Sequence, residues 1–428
     1  MKKEDIIRAA FRVWGRKLYQ SISLTHLAKE LGVTKPALYR HFPNKQALLD
    51  SMYEWFLDDF AAFVRDDYAR AASAKDLAEA ILIPGRAVAR YYCLNLDAFL
   101  FALLYVYGSK SGGIMEEELA GRGVDMRRFS GPGADSSVYP SPAQLVILTL
   151  MFWICSFHKR IFEPEPGEYL PEEHQPLDVE KALVAMEEKL LYGLGFDKGR
   201  VDALDYQELE ERTAGLVPGD INDDGLYRAA AGALAEAGPW DVSMEMVARR
   251  SGISKSGLYS HFRNRQEMIR KFFLTEFERI AASAGAGMEK STAPEDRLYL
   301  AIIGIADYLR ARPEILLALD KIRTRKLELG LPETLRFHLI FEGVNAGDLD
   351  ASSPAAEAAS RWILFLIVNA LMRYREGGGG GSEMSGPFCF GEVKNSCFRI
   401  LYRFIALGIR GFDAGKNGAS SETASERL

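Results

Sequence analysis

The sequence predicts an all-α protein built as two repeats. Apolar residues recur at helical spacing through most of the 428 residues, and no segment shows a convincing strand pattern. The stretch from Thr34 to Phe42 recurs without gaps 220 positions later, at 254–262, with five of its nine residues identical. Ser-Pro pairs at Ser141 and Ser353 open a long apolar helix in each half, since serine is a good N-cap and proline a favoured first helical residue. The repeat therefore extends well beyond the short matching stretch.

Each repeat is expected to begin with three helices. In the first copy, helical periodicity covers Lys3 to Leu18, Ser23 is a suitable N-cap for a helix from Leu24 to Leu31, and Gly32 suits the left-handed end of that helix. Thr34 then caps a third helix. The second copy repeats these signals at Ser243, Gly252, Ser254, Leu258 and Phe262. A helix, a glycine-containing turn and a second helix form the helix-turn-helix unit, which lays its second helix in the major groove of DNA.

The third helix leaves several hydrogen-bond donors exposed. Lys35, Tyr39, Arg40 and His41 are able to contact phosphates or base edges. Lys45 and its counterpart Arg265 open the next helix, within reach of backbone phosphate. An alternative stays open, in which Tyr39 and His41 only pack the third helix against the first.

The two stretches resemble a known family. Gly32 to Leu49 looks like the N-terminal domain of the tetracycline-repressor (TetR) family, and the second copy looks like a more generic member. The resemblance covers about 50 residues in each copy. It implies a one-component transcriptional regulator, in which an N-terminal DNA-binding domain precedes a helical domain that dimerises and binds a small-molecule inducer.

The resemblance also assigns residues to DNA contact. With the donors above, the candidate DNA-binding residues of the first copy are Thr25, Thr34, Lys35, Pro36, Tyr39, Arg40, His41 and Lys45. Their counterparts are Glu245, Ser254, Lys255, Ser256, Tyr259, Ser260, His261 and Arg265. The copies differ at five of these positions. Thr34 and Lys45 change conservatively to serine and arginine, whereas Thr25, Pro36 and Arg40 become glutamate, serine and serine. We therefore expect an operator with unlike half-sites.

Charge is unevenly distributed along the chain. The net charge is −6, but residues 1–50 carry a local charge of +6 and residues 223–272 a local charge of +2. Local basic patches attract DNA phosphates, because binding releases condensed counterions. Charge alone leaves open the alternative of a solvated helix face. The weaker charge of the second copy favours an alternative in which that copy no longer reads DNA, and the divergence of its DNA-facing residues indicates that the first copy is the stronger DNA binder.

The rest of each repeat is expected to be a helical ligand-binding and dimerisation body. We place helix-turn-helix domains at 1–46 and 223–266, bodies at 47–195 and 267–412, a linker at 196–222 and a disordered tail at 413–428. The last helices are expected at about 177–194 and 392–409. The last two long helices of each body are apolar on more than one face, so they must be buried on several sides. They form either the core of their own body or, as the family resemblance implies, a four-helix interface, here formed within one chain.

Catalytic signals are missing from the sequence. The six histidines are scattered, and no credible metal-binding, nucleophile or phosphate-loop pattern occurs, so we expect no enzyme activity, metal or cofactor. A ligand pocket between helices is expected near Trp153, Phe157, His158 and Trp362. The four widely spaced cysteines suit reduced thiols in a cytoplasmic protein. We find no secretory leader and no membrane-spanning segment.

These observations predict a ligand-responsive transcriptional regulator, expected to be a repressor, that binds double-stranded operator DNA as a single-chain pseudo-dimer. Its two recognition helices are expected about one DNA turn (~34–36 Å) apart. Its effector would be an unidentified small molecule. Two alternatives stay open: an interaction or coactivator protein in which one or both helix-turn-helix units no longer read DNA, and further homodimerisation of the chain.

Overall fold

The computed structural model describes most of the chain. The described residues are 2–16, 23–106, 112–126, 140–158, 176–213, 225–323, 336–350, 353, 355–372 and 394–412. Within these ranges every regular element is helical, which confirms the all-α class and the layout of two repeats. The chain forms two compact units, one holding residues 1–134 and 150–188 and the other holding residues 135–149 and 189–428.

The elements of the first repeat begin with three helices that form the first head, followed by a long connecting helix. The bounds are α1 Lys3–Arg16, α2 Leu24–Glu30, α3 Lys35–His41, α4 Lys45–Ala71, α5 Leu77–Leu94, α6 Leu96–Phe101, α7 Gly112–Gly121, α8 Pro142–Phe157 and α9 Pro176–Tyr192. A π-helical turn, Ala102–Val106, extends α6.

The elements of the second repeat follow two short helices, α10 Lys198–Asp202 and α11 Tyr206–Thr213. The bounds are α12 Gly225–Asp241, α13 Met244–Ser251, α14 Lys255–His261, α15 Arg265–Met288, α16 Pro294–Ala311, α17 Pro313–Arg323, α18 Ala356–Leu371 and α19 Asn395–Leu407. Three short 3₁₀ turns cover Phe337–Ile340, Gly347–Leu349 and Ile409–Phe412. Both last helices, α9 and α19, end two residues before the predicted position, and α19 also begins three residues late, because periodicity locates helix ends less well than helix existence.

Polar side chains start the predicted helices. Ser141 Oγ accepts from the backbone N–H of Gln144 at 3.2 Å, and the backbone N–H of Ser141 donates to Gln144 Oε1 at 2.9 Å. The two bonds make a capping box for α8. Asp76 caps α5 through the N–H of Glu79 at 2.8 Å. These bonds satisfy backbone donors that the first helical turn leaves without partners.

The segment predicted as a linker contains packed helices. Leu209 and Val201 are buried, and Tyr206 packs edge-on against Tyr299 of α16 at 4.9 Å. Glu210 accepts hydrogen bonds from Tyr299 at 2.5 Å and from Arg399 of α19 at 2.9 Å. Desolvation by burial opposes ionisation of Glu210, but these two bonds outweigh it and hold the pKa of the carboxyl below its ordinary value. The segment from Lys198 to Thr213 is thus anchored to the second body.

Some predictions fall outside the described residues. The disordered tail predicted at 413–428 lies there, so that prediction is not tested. Among the helices that the structure describes, none is long and apolar enough to cross a membrane.

Candidate nucleic-acid interface and the helical bundle

The two heads have the same construction. In each, the third helix is anchored by a buried leucine and a buried phenylalanine: Leu38 and Phe42 in the first head, Leu258 and Phe262 in the second. Gly252 ends α13 with φ of 71°, and Gly32 has φ of 65° after α2, so the turn uses the left-handed conformation that glycine adopts without a Cβ clash. The turn and the third helix of each head (α3 and α14, called the reading helices below) are therefore built in the same way in both copies.

Side chains fix the start of each reading helix. Thr34 Oγ1 accepts from Ala37 N at 3.3 Å, and Ser254 Oγ accepts from Gly257 N at 3.0 Å. Both N-caps predicted from the sequence are confirmed. Asn44 caps α4 in the same way, through Ala47 N at 2.8 Å. Each reading helix is thus bounded by a capped turn on both sides, which sets its exposed face.

The structure exposes nearly every candidate DNA-binding residue. Tyr39 retains 42% of its surface and Tyr259 retains 46%, which is unusual for large aromatic side chains. Half-buried Lys45 and Arg265 lie at the first positions of α4 and α15. The remaining candidates are exposed: Thr25, Thr34, Lys35, Pro36, Arg40, His41, Glu245, Ser254, Lys255, Ser256, Ser260 and His261. In the first head Lys35 and Tyr39 lie on the same side of the third helix, since Lys35 Nζ lies 5.7 Å from the Tyr39 ring centroid.

On the exposed face of the second head, serine hydroxyls make hydrogen bonds within the reading helix and its cap. Ser260 Oγ donates to Gly257 O at 2.6 Å, and the hydroxyls of Ser254 and Ser256 lie 3.1 Å apart. In the first head, arginine and proline occupy the positions of Ser260 and Ser256. The two heads thus share a backbone design and present different hydrogen-bonding groups.

The connecting helices α4 and α15 differ in length, and an equivalent tyrosine–carboxylate hydrogen bond in each unit locates the difference. In the first unit Tyr91, the fourth residue from the end of α5, donates to Asp59 of α4 at 2.8 Å. In the second unit Tyr308, the fourth residue from the end of α16, donates to Glu276 of α15. The helix α4 has 27 residues and α15 has 24, and both begin at the equivalent point of the head.

The difference lies between the head and this anchor. Asp59 lies fifteen residues after the N-cap Asn44, and Glu276 lies twelve residues after the N-cap Asn264. Three residues of α-helix correspond to ~4.5 Å of rise and ~300° of rotation. Each head is therefore fixed to its own body at a different height and angle on the connecting helix.

The contacts between each head and its own body agree with this three-residue difference in the connecting helices. In the first unit Phe11 of α1 meets Phe101 of α6 edge-on at 5.0 Å, and Phe101 also packs against Phe56 at 5.8 Å. Alanines occupy the equivalent places in the second unit, Ala231 of α12 and Ala318 of α17, and both are fully buried. Small side chains allow α12 and α17 to approach each other more closely, as a connecting helix that is shorter by three residues requires.

Residues of the first repeat join the second repeat through backbone contacts within the second unit. Leu194 N donates to Ile405 O at 2.8 Å, and Phe196 N donates to Ala406 O at 3.1 Å. Two glycines allow this approach. A Cβ on Gly193 would overlap Ile405 O, and a Cβ on Gly408 would overlap the backbone of Leu191. The ends of α9 and α19 therefore contact each other reciprocally.

Side chains reinforce the joint between the repeats. Trp362 of α18 is fully buried, and its Nε1 donates to Thr149 Oγ1 of α8 at 3.1 Å, with Thr149 also fully buried. Lys189 of α9 forms an ion pair with Asp348. Within the second unit, parts of α8 and α9 from the first repeat thus pack with α18 and α19 from the second.

A cavity of about 180 Å³ lies in the first unit between α5, α8 and α9. It is lined by Cys93, Trp153, Ile154, Ser156, Phe157, Ala182, Leu183, Ala185 and Met186. Burial raises the pKa of the Cys93 thiol to about 12, so the thiol is neutral at physiological pH. The Nε1 of Trp153 is buried and finds no hydrogen-bond partner among the described residues. The described lining is mostly apolar, the hydroxyl of Ser156 donates to Phe152 O at 2.9 Å, and Trp153 is the lining residue with a buried, unpartnered N–H.

The four predicted pocket residues separate in the structure. Trp153 and Phe157 line the cavity, whereas His158 does not, because its ring is buried and its Nε2 makes a 3.0 Å bond to Tyr92 O. Trp362 does not line this cavity, because its ring is buried in the core where the repeats meet and its Nε1 donates to Thr149. Among the described residues no group of three or more histidine, cysteine, aspartate or glutamate side chains is placed to hold a metal ion.

Sequence reasoning missed most of the cavity lining and the two glycines. Cys93, Leu183 and Met186 occupy ordinary core positions on two helices, and no periodic signal pairs those helices. The position of the two glycines could have indicated their equivalence, since Gly193 and Gly408 each directly follow the last helix of their repeat.

Comparison with known proteins places both heads in one family. The model described as "Bacterial regulatory proteins, tetR family" matches residues 6–52 and again residues 226–271. An uncharacterized HTH-type transcriptional regulator, YerO of Bacillus subtilis, is 38% identical over 56 residues, which are 13% of this chain and 19% of that protein. The tetracycline repressor protein class C of Escherichia coli is 40% identical over 57 residues, 13% of this chain and 26% of that protein. The similarity thus spans about a fifth to a quarter of these relatives' length.

Proposed function

Because the chain belongs to the TetR family and carries its DNA-binding domain twice, we propose that it regulates transcription by binding an operator as a single-chain pseudo-dimer. One observation carries the proposal. Two complete helix-turn-helix heads have matching caps, turns and exposed faces, and both are attached to helical bodies on one polypeptide. A symmetric dimer obtains two reading helices from two chains, whereas this chain supplies both.

The DNA contacts follow from the exposed faces. Lys35, Tyr39 and Arg40 present donors to base edges and phosphates, and Lys45 begins a helix whose N-terminus favours phosphate. In the second head Lys255 and Tyr259 have the same places. The tetracycline repressor relatives are repressors by name, and we extend repression to this chain as part of the proposal.

The joint between the repeats supports the pseudo-dimer. Reciprocal contacts at Gly193 and Gly408, with the bond from Trp362 to Thr149, bury surface that a two-chain dimer would bury between subunits. A chain that satisfies this surface internally has no need of a second copy to do so. We therefore propose one chain per operator.

The differences between the heads support an asymmetric operator. The first head offers Arg40, a bidentate donor suited to guanine, where the second offers Ser260. Glu245, in the place of Thr25, repels phosphate and is suited to accept from a cytosine amino group. The shorter connecting helix of the second unit adds a difference in how that head is fixed to its body.

Selection of bound sequences from a random double-stranded library tests this proposal. We expect a bipartite site whose halves differ in sequence, bound at physiological salt. Recovery of a symmetric palindrome would contradict the asymmetry. Binding that disappears above low salt, with no enriched sequence, would favour an interaction protein whose heads no longer read DNA.

We further propose that a small molecule controls operator binding. The cavity in the first unit supports this, since pockets between helices are common ligand sites. A ligand changes operator affinity only by its differential affinity for the DNA-competent form. The effector is therefore expected to bind the free chain and the operator-bound chain with unequal affinity.

A further inference from the structure

We propose that effector binding is one-sided: the first body binds one small, neutral aromatic ligand with a hydrogen-bond acceptor, and the second body binds none because the equivalent space is filled. The proposal rests on the ligand response proposed above and adds its location, stoichiometry and ligand chemistry.

The cavity has counterpart positions in the second unit. Cys93 and Arg310 are each the second-last residue of an 18-residue helix, α5 and α16. Leu183 lies ten residues before Gly193, and Phe398 lies ten residues before Gly408, the glycines that follow the last helix of each repeat. Cys93 and Leu183, which face one cavity, thus correspond to Arg310 and Phe398.

The second body fills this space with side chains. The guanidinium of Arg310 lies 4.9 Å from the Phe398 ring centroid, and Phe398 is fully buried. Arg310 also bonds to Asn395 and to Asp307, each at 2.7 Å. A long cation stacked on a phenyl ring and bound at both sides occupies more volume than a thiol beside a leucine. We infer that Arg310 and Phe398 fill the α16–α19 groove at the positions where Cys93 and Leu183 line a cavity between α5 and α9.

The lining of the open cavity selects the ligand. Among the described residues no charged side chain lines it, and burying an unpaired charge there would cost far more than an apolar contact returns. A dry apolar cavity of ~150 Å³ accommodates benzene in a protein core. A cavity of about 180 Å³ therefore suits a single substituted ring.

The indole of Trp153 supplies the one directional contact. Its buried N–H has no partner among the described residues, and an unsatisfied buried donor is costly. A carbonyl or ether oxygen on the ligand would accept this bond. We therefore expect a neutral aromatic ketone to bind better than the matching hydrocarbon.

The test measures binding of 4-fluoroacetophenone to the full chain by fluorine NMR, beside 4-fluoroethylbenzene, which lacks the carbonyl. We expect one site per chain and at least about fivefold tighter binding of the ketone, which corresponds to the lower end of the cost of an unmade buried hydrogen bond. Trp153→Phe should remove this preference and leave hydrocarbon binding. Two sites per chain, no binding of either probe, or a preference unchanged in Trp153→Phe would overturn the proposal.

Filling variants locate the site. Leu183→Phe reproduces the second body's phenyl ring and should weaken ketone binding by at least about tenfold. Val184→Phe adds a ring at the neighbouring position, which is 58% exposed, and should leave binding unchanged. The double variant Arg310→Cys, Phe398→Leu should gain a second site. Equal binding by Leu183→Phe and Val184→Phe, or a double variant that folds as judged by thermal unfolding and still binds one molecule, would overturn the proposal.

Operator binding is measured separately on each variant. If no operator is ever recovered but probe binding follows the expected pattern, the regulatory function fails while the one-sided site stands. If an operator is bound and the probe results fail, the site fails alone.

Discussion

Replacing Gly408 with alanine is expected to destabilise the second unit by about 3–5 kcal/mol. The residue has φ of 65°, and its added Cβ would overlap the backbone of Leu191, so conformational strain adds to a clash with atoms that have no rotamer to change. Gly193→Ala should have a similar effect, since its φ is 58° and its Cβ would overlap Ile405 O. Denaturant unfolding, read from the transition that belongs to the second unit, measures both.

Gly195→Ala is the matched control. Its φ is 74°, but no atom lies within 4 Å of its added Cβ, so only the conformational cost of ~1–2 kcal/mol remains. If Gly408→Ala costs no more than Gly195→Ala, the reciprocal contact between the ends of α9 and α19 does not hold the repeats together.

Tyr39→Ala is expected to weaken binding to the selected operator by about 10- to 100-fold, because one good base contact is worth ~1–3 kcal/mol. Tyr259→Ala should weaken binding by less, since fewer free donors surround that ring. Electrophoretic shifts at constant salt measure both constants.

Leu339→Ala provides the control, because its side chain is 44% exposed and lies in the 3₁₀ turn Phe337–Ile340 of the second body. It should leave operator affinity unchanged. A Tyr39→Ala variant that binds like Leu339→Ala would remove the first head from DNA recognition. An unchanged Tyr259→Ala would show that the second head does not read DNA.

Local features could be predicted from the sequence. The N-caps Thr34 and Ser254 and the turn glycines Gly32 and Gly252 depend on residues a few positions apart, so their spacing identifies them. The same holds for Ser141 at the start of α8. Exposure of Tyr39 and Tyr259 follows as well, because Leu38 and Leu258 fix which face of each reading helix is buried.

Features that depend on long-range packing could not be predicted. Trp362 was expected near a ligand, yet its partner Thr149 lies 213 positions away, and no periodic pattern pairs them. The one-turn difference between α4 and α15 was hidden as well, since both helices keep apolar spacing throughout. It becomes visible only when the bonds from Tyr91 to Asp59 and from Tyr308 to Glu276 supply fixed points.

The cavity shows the same limit. Cys93 and Arg310 stand at equivalent positions, and their difference matters only because Leu183 and Phe398 lie opposite them. A thiol or an arginine alone predicts neither an open nor a filled groove.

The central claim is that one chain supplies both reading heads to one operator. Native mass spectrometry of the protein bound to its selected operator, combined with a hydroxyl-radical footprint of the same complex, tests it most directly. We predict one chain per DNA duplex with two unlike protected half-sites. Two chains per duplex, or one chain that protects a single half-site, would contradict it.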